Sequence, residues 1–180
     1  MHVAIIFAST EGQTRKIAQF VQATLVGLGA HTTLVSADAA TGMDFTPFEG
    51  VITAASIHAG RYQPEFLAFA KAHAEDLKAR PTLFLSVSLA AAGDAYEDWA
   101  ELDRIVERMT DETGFRPKRV EQVAGAFRFE HYGFVKYWAV RWIEAKKDPE
   151  AVPGEDKEYT DWDAVAAKVG DWTAGLSAGT

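Results

Sequence analysis

Short apolar runs rich in β-branched residues alternate along this chain with longer stretches whose apolar positions recur three and four residues apart. The first pattern suits strands buried on both faces, and the second suits helices packed by one side. Their alternation predicts a parallel sheet covered by helices. Residues 2–7 form the first predicted strand. Ile17, Phe20, Val21, Leu25 and Leu28 then keep helical spacing, and Gly29 is a natural stop. Residues 32–35 and 51–55 are the second and third strands. A helix is expected from Pro64, a residue type favoured at the first helical position, through Phe66, Phe69, Ala70, His73 and Leu77. Residues 82–87 are the fourth strand, and a helix bearing Leu102, Ile105, Val106 and Met109 follows. Residues 120–127 are the fifth. A last helix is expected at Thr160, with Thr160 as its cap and Asp163 reaching back. Its buried stripe is Trp162, Val165, Val169, Trp172 and Leu176.

Five strands with right-handed crossovers predict one α/β domain over residues 1–180, a doubly wound five-stranded parallel sheet in the order 2-1-3-4-5. Residues 128–159 exceed what a connection in such a sheet needs, so they are expected to be a helical insertion before the last helix. Within residues 128–147, five Arg or Lys stand against two Glu, a balance of +3, whereas the rest of the chain carries −11. Phe134, Val135, Trp138, Ala139, Trp142 and Ile143 share one helical arc there. Aromatic and basic residues together suit a membrane interface, with Trp138, Arg141 and Trp142 as contacts. The alternative use of that arc is docking on the domain or on a second copy in a homo-oligomer.

Composition narrows the classes. An apolar content of 48% fits a folded globule, and the absence of cysteine excludes thiol chemistry and cysteine-ligated metal. A net charge of −8 argues against nucleic acid as a partner. The histidines show no metal-ligand spacing, and no metal is expected. No basic start precedes the first apolar run and no stretch could span a bilayer, so a cytoplasmic location is expected, with peripheral contact at the membrane's inner face left to the insertion.

In an open parallel sheet the ligand lies beyond the carboxyl ends of the strands, where the order reverses. The first strand is at that reversal, and it leads through Ser9, Thr10, Glu11, Gly12, Gln13 and Thr14 into a helix. Unpaired N–H groups at a helix start, hydroxyls that can donate and a glycine that allows close approach suit a phosphate. The loop lacks the Gly-Lys-Ser/Thr ending of a P-loop and the three glycines of a dinucleotide fingerprint. Simple capping of the helix by a Ser/Thr-rich turn is the other reading. Glu11 is awkward beside a dianion and is expected to face solvent or bond to backbone. Two further loops, residues 56–62 and 88–93, reach the same edge with small residues suited to a flat heterocycle.

The combination Phe7-Ala-Ser-Thr-Glu-Gly-Gln-Thr-Arg-Lys-Ile-Ala18, Ala55-Ser-Ile-His-Ala-Gly-Arg-Tyr62, Phe84-Leu-Ser-Val-Ser-Leu89, Val123-Ala-Gly-Ala-Phe-Arg128 and Tyr159-Thr-Asp-Trp162 resembles the flavodoxin-type protoporphyrinogen IX dehydrogenases. The resemblance implies a flavodoxin-like fold, FMN as cofactor, a tetrapyrrole substrate oxidised from protoporphyrinogen IX to protoporphyrin IX, and a membrane quinone as acceptor in heme biosynthesis. By that likeness, Ser9, Thr10, Glu11, Gly12, Gln13 and Thr14 form the phosphate loop. Ser56, Ile57, His58, Ala59 and Gly60, with Ser88, Leu89 and Ala90, border the ring. A flavodoxin-like electron carrier and an NAD(P)H:quinone reductase are the competing functions.

Several side chains carry two readings. His58 can donate to a reduced flavin or shuttle a proton, or it is a solvated loop residue. Arg61 can pair with a substrate propionate, or it too is a solvated loop residue. His73 falls on an apolar stripe and reads as a satisfied, half-buried histidine. Trp99 can stack on the ring, but burial on its helix is favoured.

Overall fold

The computed structural model describes residues 1–127 and 156–178. The predicted helical insertion, with Trp138, Arg141 and Trp142, lies outside these residues except for its last positions. Among the described residues, five parallel strands make the sheet: β1 (His2–Phe7), β2 (His31–Ser36), β3 (Gly50–His58), β5 (Thr82–Ser88) and β6 (Arg119–Ala124). Their order is β2-β1-β3-β5-β6, the predicted doubly wound arrangement. A further strand, β4 (Arg61–Tyr62), pairs antiparallel with the end of β3. Ile5 of β1 stands opposite Leu34 on one side and Ile52 on the other, so β1 is enclosed by neighbours.

Side chains alternate across a strand, and each face of this sheet meets its own helices. Val3, Ile5 and Phe7 pack with Ile17, Val21 and Leu25 of α1 (Gln13–Gly27) and with Val165, Val169 and Trp172 of α5 (Trp162–Ala178). Ala4 and Ile6 face the other layer, built from α2 (Pro64–Ala72), α3 (Ala74–Lys78) and α4 (Tyr96–Thr113). Phe66 and Phe69, Leu77, and Ile105 and Met109 are the large apolar residues those three helices supply to this layer. Each such side chain stabilises the fold by about 1.5–3 kcal/mol through apolar burial.

Four local readings need correction. The third strand does not stop at Ala55 but continues to His58, because Ile57 and His58 gain partners in Tyr62 and Arg61. The helix expected from Pro64 through Leu77 is two helices that meet at His73. That residue leaves helical geometry, and its ring nitrogens meet the Thr41 carbonyl and the Asp76 carboxylate, at 3.0 and 3.1 Å. It is buried and satisfied, as its place on the stripe implied. The fifth strand ends at Ala124, and after Gly125 the chain pairs again as β7 (Ala126–Phe127) with β8 (Lys157–Glu158). Thr160 does not cap α5. Asp161 does, its carboxylate accepting the Ala164 N–H at 2.9 Å.

Gly50 opens β3 beneath α5, and a Cβ there would lie 2.8 Å from Trp172 and 3.0 Å from Leu176. Gly50→Val therefore overpacks this layer and should cost about 1–3 kcal/mol in denaturant unfolding. Trp172→Leu alone should also destabilise, but the double variant should lose less than the two single losses added together. Additive losses would show that the indole does not occupy this space.

Candidate functional site

The chain leaving β1 turns sharply before α1. Ala8 donates its N–H to the Ala54 carbonyl, Ser9 Oγ accepts the Gly12 N–H at 3.1 Å, and Gly12 takes φ +92°. That left-handed conformation favours glycine and starts the helix without a side-chain cap. The amides of the first turn have no carbonyl four residues back, so they remain as donors at the positive end of the helix. No acidic residue stands in that turn. Thr10 is exposed, while Gln13 and Thr14 are buried.

The loop after β3 is a hairpin. Ala59 (φ +48°) and Gly60 (φ +77°) make its two-residue turn, and Arg108 of α4 donates to the Gly60 carbonyl at 3.3 Å. Gln63 joins the hairpin and the loop between β1 and α1. Its amide NH2 donates to Ser56 Oγ and, at 3.4 Å, to Thr10 Oγ1, while its Oε1 accepts the Ser56 N–H at 3.2 Å. His58 Nε2 lies 3.1 Å from Ser56 Oγ, and its Nδ1 is 3.7 Å from Glu11. Glu11 thus does not point to solvent; its side chain is only 14% exposed and faces the histidine. Burial pushes the His58 imidazole below its ordinary range.

The third loop is built on Ser88, whose hydroxyl accepts the Ala91 N–H and whose carbonyl accepts the Gly125 N–H. Leu89 leads into a short 3-10 turn, Ala90–Ala92. Trp99 is 39% exposed, contrary to the burial expected of it, because its indole N–H is spent on the Gly93 carbonyl at 2.8 Å. Ser9 to Thr14, Ser56 to Gly60 and Ser88 to Ala90 therefore share the carboxyl edge of the sheet. Arg61 departs from expectation by having a partner already, the Glu112 carboxylate at 2.8 Å. It lines a cleft of about 800 Å3 that also touches Thr10, Glu11, His58 and Leu67.

Sequence reading missed a clamp on the start of α1. Gln13, expected to face phosphate, turns its side chain away and donates to Thr160 Oγ1 at 2.9 Å and to Glu158 at 3.1 Å. Lys16 meets the same Glu158 carboxylate at 2.6 Å, and the Trp162 indole donates to it at 2.9 Å. Thr160 in turn donates to the Ala124 carbonyl at 2.7 Å. Tyr-Thr-Asp-Trp was visible in the sequence as a helix start and as part of the family resemblance, but not as a clamp.

Residues 4–151 match the family described as flavodoxin domain. The chain belongs to that family. FMN is the cofactor that goes with a flavodoxin domain, and the uncapped α1 terminus beside three hydroxyl residues fits its phosphate. This flavodoxin-domain chain is 28% identical over 166 residues to protoporphyrinogen IX dehydrogenase (quinone) of Escherichia coli (strain K12), covering 92% of this chain and 91% of that one. A protein of the same name from Leishmania major is 26% identical, over 94% of this chain and 74% of that one. The resemblance read from the motifs is borne out. Among solved structures, the flavodoxin of Streptococcus pneumonia TIGR4 aligns over 100% of each chain with a TM-score of 0.56 and 16% identity, which bears on the fold alone. Among the described residues, no helix of this flavodoxin-domain protein is long and apolar enough to cross a membrane.

Burial raises the Glu158 carboxyl, but hydrogen bonds from Lys16, Trp162 and Gln13 outweigh it and hold it below the usual value of 4.5. A carboxylate depressed in the folded state stabilises above its unfolded pKa and loses that contribution as pH falls through the folded one. Glu158→Gln should therefore cost about 1 kcal/mol at pH 7. The difference from wild type should shrink as the medium is acidified below pH 4.5. A pH-independent difference in thermal unfolding would rule out the charge as its source.

Proposed function

We propose that this protein oxidises protoporphyrinogen IX to protoporphyrin IX with FMN and passes the electrons to a quinone, a step of heme biosynthesis. One observation carries the reading: the likeness to the dehydrogenases of that name extends over nearly the whole of both chains. A carrier that only docks on redox proteins needs little beyond the sheet edge, whereas residues 128–147 add an aromatic and basic stretch suited to a substrate or a lipid surface.

In this proposal the first-turn amides of α1, with the hydroxyls of Ser9, Thr10 and Thr14, hold the FMN phosphate. Ser56 to Gly60 and Ser88 to Ala90 border the ring. FMN, when bound, supplies the two-electron chemistry. The protein orients it: Gln63 fixes Ser56 and Thr10 relative to one another, and the clamp of Glu158 and Thr160 fixes the start of α1. Arg61 would have to share its guanidinium between Glu112 and a substrate propionate.

Thr10→Val combined with Thr14→Val keeps shape and removes two hydroxyls. Each lost bond to a charged oxygen is worth about 1.5–3 kcal/mol, so FMN should bind roughly a hundredfold or more weakly, with riboflavin little affected. Equal wild-type affinity for FMN and riboflavin would sink the phosphate site. For the activity, the FMN-loaded protein is mixed anaerobically with protoporphyrinogen IX and, separately, with NADPH. Fast bleaching by the porphyrinogen, followed by reoxidation with a quinone, is the expected result. Bleaching by NADPH alone indicates a quinone reductase, and bleaching by neither indicates a carrier.

A further inference from the structure

His58 occupies a costly position. The hairpin that carries it turns through Ala59 at φ +48°, a conformation that residues with a Cβ rarely adopt. The neighbours enforce it: His58 pairs with Arg61 across the turn, Arg108 holds the Gly60 carbonyl, and Arg61 is anchored on Glu112. Strain that surroundings over-determine points to a role for what it positions. Here it suspends the imidazole over the phosphate loop, between Glu11 and Ser56.

One arrangement of these hydrogen bonds leaves a ring nitrogen open to proton uptake. Gln63 donates to Ser56 Oγ, which leaves the Ser56 hydroxyl hydrogen free to point at His58 Nε2, 3.1 Å away. In that tautomer neutral His58 carries its proton on Nδ1, toward Glu11 at 3.7 Å. A second proton, delivered at Nε2 with rotation of the Ser56 hydroxyl, would give an imidazolium facing a carboxylate. Among the described residues, other charged groups stand nearby. Arg61 and Glu112 pair with each other, Arg108 lies on the Gly60 carbonyl and on Glu101, and Lys71 of α2 reaches the same cleft. Glu11 is the anion that meets the ring itself, and His58 is 38% exposed to receive a proton from the cleft.

We propose that His58, braced by Glu11, takes up the second proton of each two-electron transfer. The inference rests on the flavin oxidoreductase reading above. Removal of two electrons from a porphyrinogen breaks one C–H and one N–H bond. FMN, when bound, would accept the C–H hydrogen with its electron pair, and the N–H proton would pass by way of Ser56 to His58. When a quinone takes the hydride to become the quinol, His58 returns that proton and the balance closes. His58 is the proton-holding residue, and Glu11 is a positioning residue that acts through it.

Two measurements test this. NMR titration of the His58 ring in the FMN-free protein should show Glu11→Gln moving the titration to lower pH; an unmoved titration overturns the pairing. The midpoint potential of the FMN-loaded protein is then followed against pH, where that titration shows His58 neutral. Two protons per electron pair are expected in wild type, and one in His58→Gln. Equal proton counts in the two proteins overturn the role of His58 even if porphyrinogen still bleaches the flavin. A protein that takes up no FMN removes the flavin reading and this inference with it, so the two failures are told apart.

Discussion

The position of β1 constrains everything at the working edge. With β2 on one side and β3 on the other, both in parallel, β1 has no free flank, and its apolar residues must satisfy two layers at once. The connections on either side run to opposite faces of the sheet, so a crevice opens at the carboxyl end of β1. The chain has only residues 8–12 in which to leave the strand and enter α1. A turn that tight needs one left-handed residue, and Gly12 supplies it. The same geometry that lets the helix start there leaves its first amides without partners. A donor site for an anion is thus a by-product of strand order.

Strands and layers were legible because burial on both faces writes itself into composition: Val, Ile and Phe in short runs, with helical spacing between. What escaped was decided by particular side chains rather than by period. The apolar spacing of Phe66, Phe69 and Leu77 runs straight through His73, yet a carbonyl 32 residues away and a carboxylate three residues on draw that ring out of the helix. Ser56 to His58 read as loop because no local signal distinguishes an overrunning strand from a turn; only the pairing with Arg61 and Tyr62 makes it strand. Thr160 and Asp161 are both good caps by residue type. Burial of Thr160 against β6 leaves the role to Asp161.

At the site, the turn from β1 into α1 was legible because hydroxyls, a glycine and a helix start were contiguous. The elements that fix it were not, since each is a long-range pair. Gln63 reaches Thr10 across 53 residues, and Gln13 reaches Thr160 across 147. A glutamine in a sequence carries no mark of such a bond. Glu11 was expected to face solvent or bond to backbone because a carboxylate beside a phosphate is repelled; His58, brought over it by the hairpin, changes its surroundings. Trp138, Arg141 and Trp142 lie outside the described residues, so the membrane reading of the insertion stands as a proposal.

The charges near α1 bear on how an acidic protein can accept a dianion at all. Neither cation of the first helical turn is placed as a simple counter-ion. Arg15 lies over the Phe7 ring at 5.6 Å, and Lys16 is shared between the Glu158 carboxylate and the Trp162 ring. Glu11 is turned toward His58. Under the proposed binding mode, what the described residues of this turn offer a phosphate is a set of neutral dipoles, the amides at the helix start and the hydroxyls of Ser9, Thr10 and Thr14. Such donors are fixed by the backbone and need no reorganisation when the anion arrives, so a net charge of −8 does not prevent binding. Cations would serve any phosphate and would be screened by salt, whereas an oriented ring of N–H and O–H groups depends on where the oxygens lie. On this reading selectivity comes from the turn at Gly12, and the ion pair of Lys16 with Glu158 serves the position of the helix rather than the ligand.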